Sequence, residues 1–283
     1  MIRPAELGRP PKILVFDSGL GGLTVLRALM KQRPDADFVY AADDLGFPYG
    51  PRPESEVVAL VLDAMAKLIA AEQPDCVVIA CNTASTLVLP HLRRRWSVPF
   101  VGTVPAIKPA AEFSATRMIS ILATPGTVSR DYTRALIEKF AGHCDVALVG
   151  ARKLATLAES YMQGEALADA EIAAEIAPCF VTDGARRTDC VVLACTHYPL
   201  LRDIFVRLAP WPVRWIDPAP AIARRADHVL REKFPPLGQG GGFRFLTTSG
   251  AAPGEKLLAA LKVFLPARPE DPGVERARQR AEG

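Results

Sequence analysis

A nine-residue stretch occurs twice in this chain, and its recurrence limits the fold more than any other feature. Asp75-Cys76-Val77-Val78-Ile79-Ala80-Cys81-Asn82-Thr83 returns as Asp189-Cys190-Val191-Val192-Leu193-Ala194-Cys195-Thr196-His197. An unbroken, largely β-branched apolar run reads as a strand buried on both faces, and such strands belong to parallel sheets with helices on either side. Each copy therefore sets its second cysteine at the carboxyl end of a central strand, where open α/β sheets bind ligands. The polar pair that follows, Asn82-Thr83 or Thr196-His197, starts the turn into the next helix. A second match, residues 98–107 against 213–222, lies at nearly the same offset. That offset is too long for a solenoid, whose repeats span roughly 20–50 residues, and indicates two similar domains facing each other across a cleft.

At 283 residues, 49% of them apolar, the chain is long enough for two α/β domains with a sizeable core. A net charge of +3, with no basic run interleaved with aromatics, argues against a nucleic-acid partner. The first ten residues lack a signal-peptide core and no apolar run nears 18 residues, so a cytoplasmic protein without a membrane partner is expected. There the six cysteines (76, 81, 144, 179, 190 and 195) stay reduced, and none form a C-x-x-C pair. Cys76 and Cys190, inside the apolar runs, are read as core thiols.

Residues 13–16 form a first strand, and Asp17-Ser18-Gly19-Leu20-Gly21-Gly22-Leu23-Thr24 turns it into a helix. The glycines match the first two positions of a dinucleotide-binding turn, with Asp43-Asp44 near the place of a ribose-binding acid. Thr24, however, holds the third glycine position, and Asp17 puts a carboxylate beside the pyrophosphate site. The glycines could equally allow a tight turn, or let a small anion approach N–H groups at the helix start. Strand 38–42, a Pro-rich loop 46–53, helix 54–73, the first cysteine strand, helix 84–95 and strand 98–101 follow. The second half repeats this order: strand 118–122, turn 123–127, helix 128–140, strand 145–149, helices 151–163 and 166–176, the second cysteine strand, and a helix started by Pro199. Strand 213–216, helix 219–234, a break at 235–242, strand 243–247 and helix 255–264 complete the chain. The last two elements have no counterpart in the repeat and are expected to return to the first domain. From residue 268 the polar chain is expected to be disordered.

A thiol beside a helix N-terminus has its thiolate favoured by the backbone N–H groups and the dipole, and both Cys81 and Cys195 qualify. One such thiol suggests a nucleophile with His197 as its base; that leaves the second idle. Zinc bound by Cys81, Cys195 and His197 is a further possibility, without the usual close ligand pairs, and an inert pair of core thiols is another. Proton transfer on opposite faces of one carbon uses both, with one thiol as base and the other as acid. Asp17 would then tune Cys81, and His197 would tune Cys195.

Asp17-Ser18-Gly19-Leu20-Gly21-Gly22, Pro48-Tyr49-Gly50, Cys81-Asn82-Thr83 and Cys195-Thr196-His197 resemble, in order, the four motifs of glutamate racemases, and the resemblance covers about residues 12–250. It implies two doubly wound parallel-sheet domains related by pseudo-twofold symmetry, residues 1–104 plus 218–283 and residues 105–217, with the site in the cleft between them. It implies interconversion of L- and D-glutamate without cofactor or metal, supply of D-glutamate for peptidoglycan, and a homodimer. Cys81 would take the α-proton from the D isomer and Cys195 from the L isomer, with Asp17, His197 and Glu159 assisting. Asp17, Ser18, Pro48, Tyr49, Gly50, Asn82, Thr83, Thr124, Thr127, Thr196 and His197 would contact substrate. Residues 151–154 lack the Cys-Pro of many members. A racemase for aspartate or another amino acid, and a non-catalytic amino-acid binding protein, are the alternatives.

Overall fold

The computed structural model describes residues 8–238 and 240–266. In chain order it contains β1 (Lys12–Asp17), α1 (Leu23–Gln32), β2 (Asp37–Ala42), α2 (Glu54–Glu72), β3 (Cys76–Ile79), α3 (Asn82–Arg95), β4 (Phe100–Gly102) and α4 (Ile107–Phe113). Next come β5 (Met118–Ala123), α5 (Pro125–Val128), α6 (Asp131–Ala141), β6 (Asp145–Gly150), α7 (Leu154–Met162) and α8 (Asp169–Ile176). A small hairpin, β7 (Thr182–Asp183) with β8 (Arg186–Arg187), precedes β9 (Cys190–Leu193) and α9 (Arg202–Leu208). The described chain ends with β10 (Arg214–Ile216), α10 (Ala219–Leu230), β11 (Phe243–Thr247) and α11 (Glu255–Phe264).

The two large sheets are wholly parallel, ordered β11-β2-β1-β3-β4 and β10-β9-β5-β6. Read from its other edge, the second is β6-β5-β9-β10, the β2-β1-β3-β4 order of the first with equivalent strands exchanged. The duplicated sequence has thus produced a duplicated topology. Burial on both faces explains the unbroken apolar runs. Ile13 and Val15 of β1 pack with Leu23, Leu26 and Ile222 of α1 and α10, while Leu14 and Phe16 pack with Val57, Val61, Ala84 and Val88 of α2 and α3. The first of these cores continues through Leu122, Val191 and Leu193 into the second sheet, so the halves share apolar contacts.

The aspartate that opens each repeat has a local task. Asp75 accepts the Lys12 N–H at 2.7 Å at the entry to β1, and Asp189 accepts the Ala115 and Thr116 N–H groups at 2.7 and 2.9 Å before β5. In both sheets the strand order reverses between the members β1/β3 and β5/β9. The carboxyl ends of those pairs flank a crevice, as switch points do in open α/β sheets.

β11 pairs with β2, as expected of a chain returning to the first half. α11 instead packs on α7 of the second half, while Arg27 of α1 lies 4.1 Å from the Phe264 ring centroid, so this helix touches both halves. Some boundaries move. α3 starts two residues earlier than expected, Pro125 opens a separate one-turn helix before α6, and a 3-10 turn (Tyr198–Leu201) follows Cys195 before α9 begins. α4 has no counterpart in the expected elements; its Pro109 lies in the first helical turn, where the missing N–H costs nothing. Arg33, fully buried, forks onto Asp35 at 2.7 and 2.9 Å and reaches Asp227 at 3.5 Å, tying the α1–β2 connection to α10. The expected disordered tail lies outside the described residues.

Candidate active site between the two sheets

Asp17 ends β1 and is fully buried, with both oxygens engaged. Oδ2 accepts the Gly19 N–H and Oδ1 accepts the Thr196 hydroxyl from the second half, each at 3.0 Å. Burial raises its pKa, against the lowering effects of the His197 charge and these two hydrogen bonds. Cys81 follows β3 and immediately precedes α3, its Sγ 3.6 Å from Ser18 Oγ. The helix terminus does favour its thiolate, through the Ala84 N–H, but does not prevail. Burial, followed by the Asp17 charge, pushes the thiol up to about 12, against the Ala84 N–H and the Ser18 hydroxyl. The N-terminal dipole is a short-range effect of modest size, whereas packing of the thiol into the core with Leu14, Phe16, Val57 and Ala84 removes its water.

In the second half, Cys195 Sγ lies 3.8 Å from His197 Nδ1, and His197 Nε2 lies 2.7 Å from Glu159 Oε1. Burial pulls the His197 pKa down, but hydrogen bonds to Cys195 and Glu159 and the attraction of both outweigh it, leaving the imidazole well above 6.5. An imidazolium donates from both ring nitrogens, which suits the Cys195 sulfur on one side and a Glu159 side-chain oxygen on the other. Glu159 Oε1 also accepts the Leu20 N–H at 2.5 Å.

This arrangement accounts for the glycine-rich turn. A Cβ on Gly19 would stand 2.2 Å from Glu159 Oε1, and one on Gly21 would stand 2.5 Å from His197 Nδ1 and 2.7 Å from its backbone nitrogen. The turn is bare so that the other half can close on it. Where a pyrophosphate would meet the amides of a dinucleotide site, Leu20 N–H meets Glu159. Thr24, in place of the third glycine, donates its hydroxyl to the Thr196 carbonyl at 3.2 Å.

Around the thiols, Thr83 and Thr124 hydroxyls meet across the halves at 3.3 Å, and Thr124 meets Thr127 at 3.1 Å. The side-chain nitrogen and oxygen of Asn82 are buried without a hydrogen-bond partner among the described residues. Tyr49 is buried, its hydroxyl donating to Asp43, which also accepts the Thr248 hydroxyl at 2.6 Å; this fixes the Pro48-Tyr49-Gly50 loop to the turn after β11. The whole encloses a cavity of about 340 Å³, within the range of small-molecule sites of roughly 300–1,000 Å³.

Cys81 and Cys195 both line this cavity, with Ser18, Pro48, Tyr49, Gly50, Asn82, Thr83, Thr124, Thr196 and His197. Asp17, Thr127 and Glu159 stand behind it, bonded to Thr196, Thr124 and His197 respectively. Phe47, Arg152 and Thr156 also line it and went unpredicted. For Arg152 the usable signal was its position just past the carboxyl end of β6, the functional edge of the sheet. Among the described residues no three His, Cys, Asp or Glu side chains are placed to hold a metal ion, so Cys81, Cys195 and His197 do not form the zinc cluster considered above. Among the same residues no helix is long and apolar enough to cross a membrane.

Residues 24–226 match the family model described as Asp/Glu/Hydantoin racemase. A protein named glutamate racemase from Brucella anthropi is 58% identical over 230 residues, covering 81% of this chain and 82% of that one. The crystal structure of Escherichia coli glutamate racemase, in complex with L-glutamate and the activator UDP-MurNAc-Ala, superposes with a TM-score of 0.82 at 36% identity, covering 90% and 95% of the two chains. The RacE1 isoform of glutamate racemase from Bacillus anthracis gives 0.72 at 26% identity, covering 90% and 93%.

Proposed function

The chain belongs to the Asp/Glu/hydantoin racemase family, and on that premise we propose that it is a glutamate racemase in which Cys81 and Cys195 exchange protons with opposite faces of Cα. The observation that carries the proposal is that the two thiols, at the ends of equivalent strands, line one cavity. In the L-to-D direction Cys195, as thiolate beside the His197 imidazolium, takes the α-proton. The electron pair left on Cα then collects a proton from the Cys81 thiol on the other face. The reverse direction exchanges the roles.

A thiol held near 12 is an acid at neutral pH, which suits Cys81 to deliver the proton in the L-to-D direction. Each turnover leaves the thiols in exchanged protonation states. Solvent must restore them before the next turnover in the same direction.

Glu159 holds the imidazolium by Nε2, and Asp17 orients Thr196 beside Cys195. Ser18, Asn82, Thr83, Thr124 and Thr196 supply neutral donors and acceptors for the carboxylates and ammonium of glutamate. Asn82 fits this role best: a buried, unpaired side-chain amide costs about 1–3 kcal/mol, which a ligand would recover. No step calls on a cofactor or metal. The proposal extends to two domains, residues 1–104 plus 218–283 and residues 105–217, to a cytoplasmic homodimer, and to the supply of D-glutamate for peptidoglycan.

Solvent exchange tests the activity. With L- or D-glutamate in D2O, the protein should place deuterium at Cα of the product enantiomer. Absence of both exchange and inversion would leave an amino-acid binding protein, and exchange into aspartate in preference to glutamate would change the substrate.

A further inference from the structure

Arg130 lies just before α6, in the second half, and its side chain crosses to the first. Its Nη1 donates to the Thr83 carbonyl at 2.7 Å and to the Thr86 hydroxyl, and its Nε lies 3.4 Å from a carboxylate oxygen of Glu54 at the start of α2. The guanidinium side chain is 9% exposed, whereas Glu54 is 66% exposed, and among the described residues Nε has no hydrogen-bond partner. A cation withdrawn from water against one solvated carboxylate is a costly arrangement, and burial does push its pKa down. What it grips explains why the arrangement is kept.

Thr83 and Thr86 belong to the first turns of α3, and Cys81 and Asn82 ride on the same turn. Arg130 is itself firmly based. Its carbonyl accepts the Thr133 N–H at 3.1 Å, and the Thr133 hydroxyl donates to the Thr127 carbonyl at 2.7 Å. Thr127 meets Thr124, which meets Thr83, closing a ring of contacts around the Cys81 side of the cleft. The Cys195 side has the reciprocal device: there the first half holds the second, through Asp17 on Thr196 and the Leu20 N–H on Glu159. Each thiol-bearing turn is thus held by the opposite half.

We propose that Arg130 is the positioning residue of the Cys81 half-reaction: reaching across the cleft, it fixes the first turn of α3 so that Cys81 stays within proton-transfer distance of Cα. This rests on the two-thiol reading above. The guanidinium fork matters as well as its charge, because a lysine ammonium is a single point and cannot span Thr83, Thr86 and Glu54 together.

The test uses 3-chloroglutamate, with which each thiol can be examined alone. Loss of the Cα proton to one thiolate moves the C–H electron pair into a Cα–Cβ double bond and expels chloride. The enamine formed then hydrolyses to 2-oxoglutarate and ammonia, and no proton from the opposite thiol is needed. In Arg130→Met and Arg130→Lys, elimination from the D isomer should fall by about 100-fold, the scale of a 1 Å misplacement, and elimination from the L isomer by less than about threefold. Racemisation of glutamate should fall with the D-isomer elimination. Equal losses for both isomers, or none, in variants with a native circular-dichroism spectrum would overturn the assignment. If the Arg130 variants do not fold, Thr86→Val decides, since it removes one anchor and should give a smaller loss confined to the D isomer. Should the unmodified protein racemise glutamate yet eliminate from neither isomer, the two-thiol reading itself fails, independently of Arg130.

Discussion

Replacing Gly21 with alanine tests whether the glycine-rich turn is bare for the sake of the opposite half. The added Cβ would stand 2.5 Å from His197 Nδ1, 2.7 Å from Cγ and 2.7 Å from the His197 backbone nitrogen. The ring can rotate, but the backbone nitrogen cannot leave without its turn, which must retreat by about 0.7 Å to reach ordinary contact at 3.4 Å. Overpacking of this kind costs about 1–3 kcal/mol, which for a chain of this size lowers Tm by roughly 2–5 °C. A shift approaching 1 Å in the His197 turn carries Cys195 with it and should lower kcat/KM by about 100-fold. Gly19→Ala provides the internal comparison. Its Cβ meets the end of the Glu159 side chain at 2.2 Å, a group that can swing aside, so melting should change less than for Gly21→Ala. Thermal melting and a coupled assay of D-glutamate formation give both quantities. Wild-type Tm and kcat/KM in Gly21→Ala would refute the close approach of His197 and return the turn to a purely local role.

Glu159→Gln should lower the His197 pKa, because the Glu159 hydrogen bond and charge are among the causes that hold it well above 6.5. A raised histidine pKa stabilises the fold fully below the ordinary value near 6.5, and that stability is lost as pH rises through the higher folded value. In the variant this loss should move to lower pH, as followed by NMR titration of the imidazole and by melting across the same range; an unmoved His197 titration would contradict the pairing. Asp35→Asn leaves the Arg33 cation buried with Asp227 at 3.5 Å as its remaining carboxylate, and should cost about 3–5 kcal/mol by urea unfolding. A cost below about 1 kcal/mol would mean that the group is solvated on removal of its partner.

The repeat made the architecture legible because burial on both faces writes itself into composition: β3 and β9 read as unbroken apolar runs, and their matching position predicts the matching sheets. Local turn chemistry likewise placed Asp17, Cys81 and Cys195 at strand ends. Contacts between residues distant in sequence were not legible. Nothing near Gly21 announces His197, and nothing near Arg130 announces Thr83. The Cys81 thiol shows the same limit, since the helix N-terminus is a local feature and favours the thiolate, whereas the burial that prevails comes from packing with residues distant in sequence. Pro109 and Pro125 misled for a simpler reason. Residues 123–127 were read as a turn and no helix was expected around Pro109, yet each proline occupies a first helical turn, where it is tolerated.

The central claim, that Cys81 and Cys195 serve opposite faces of one carbon, is tested most directly by separating them. Cys81→Ser and Cys195→Ser should each abolish racemisation, because a hydroxyl is a far weaker acid and base than a thiol at neutral pH. Each should nevertheless retain one elimination from 3-chloroglutamate: Cys81→Ser from the L isomer, whose proton Cys195 takes, and Cys195→Ser from the D isomer, whose proton Cys81 takes. Elimination lost equally from both isomers in both folded variants would show that the two thiols do not divide the faces between them.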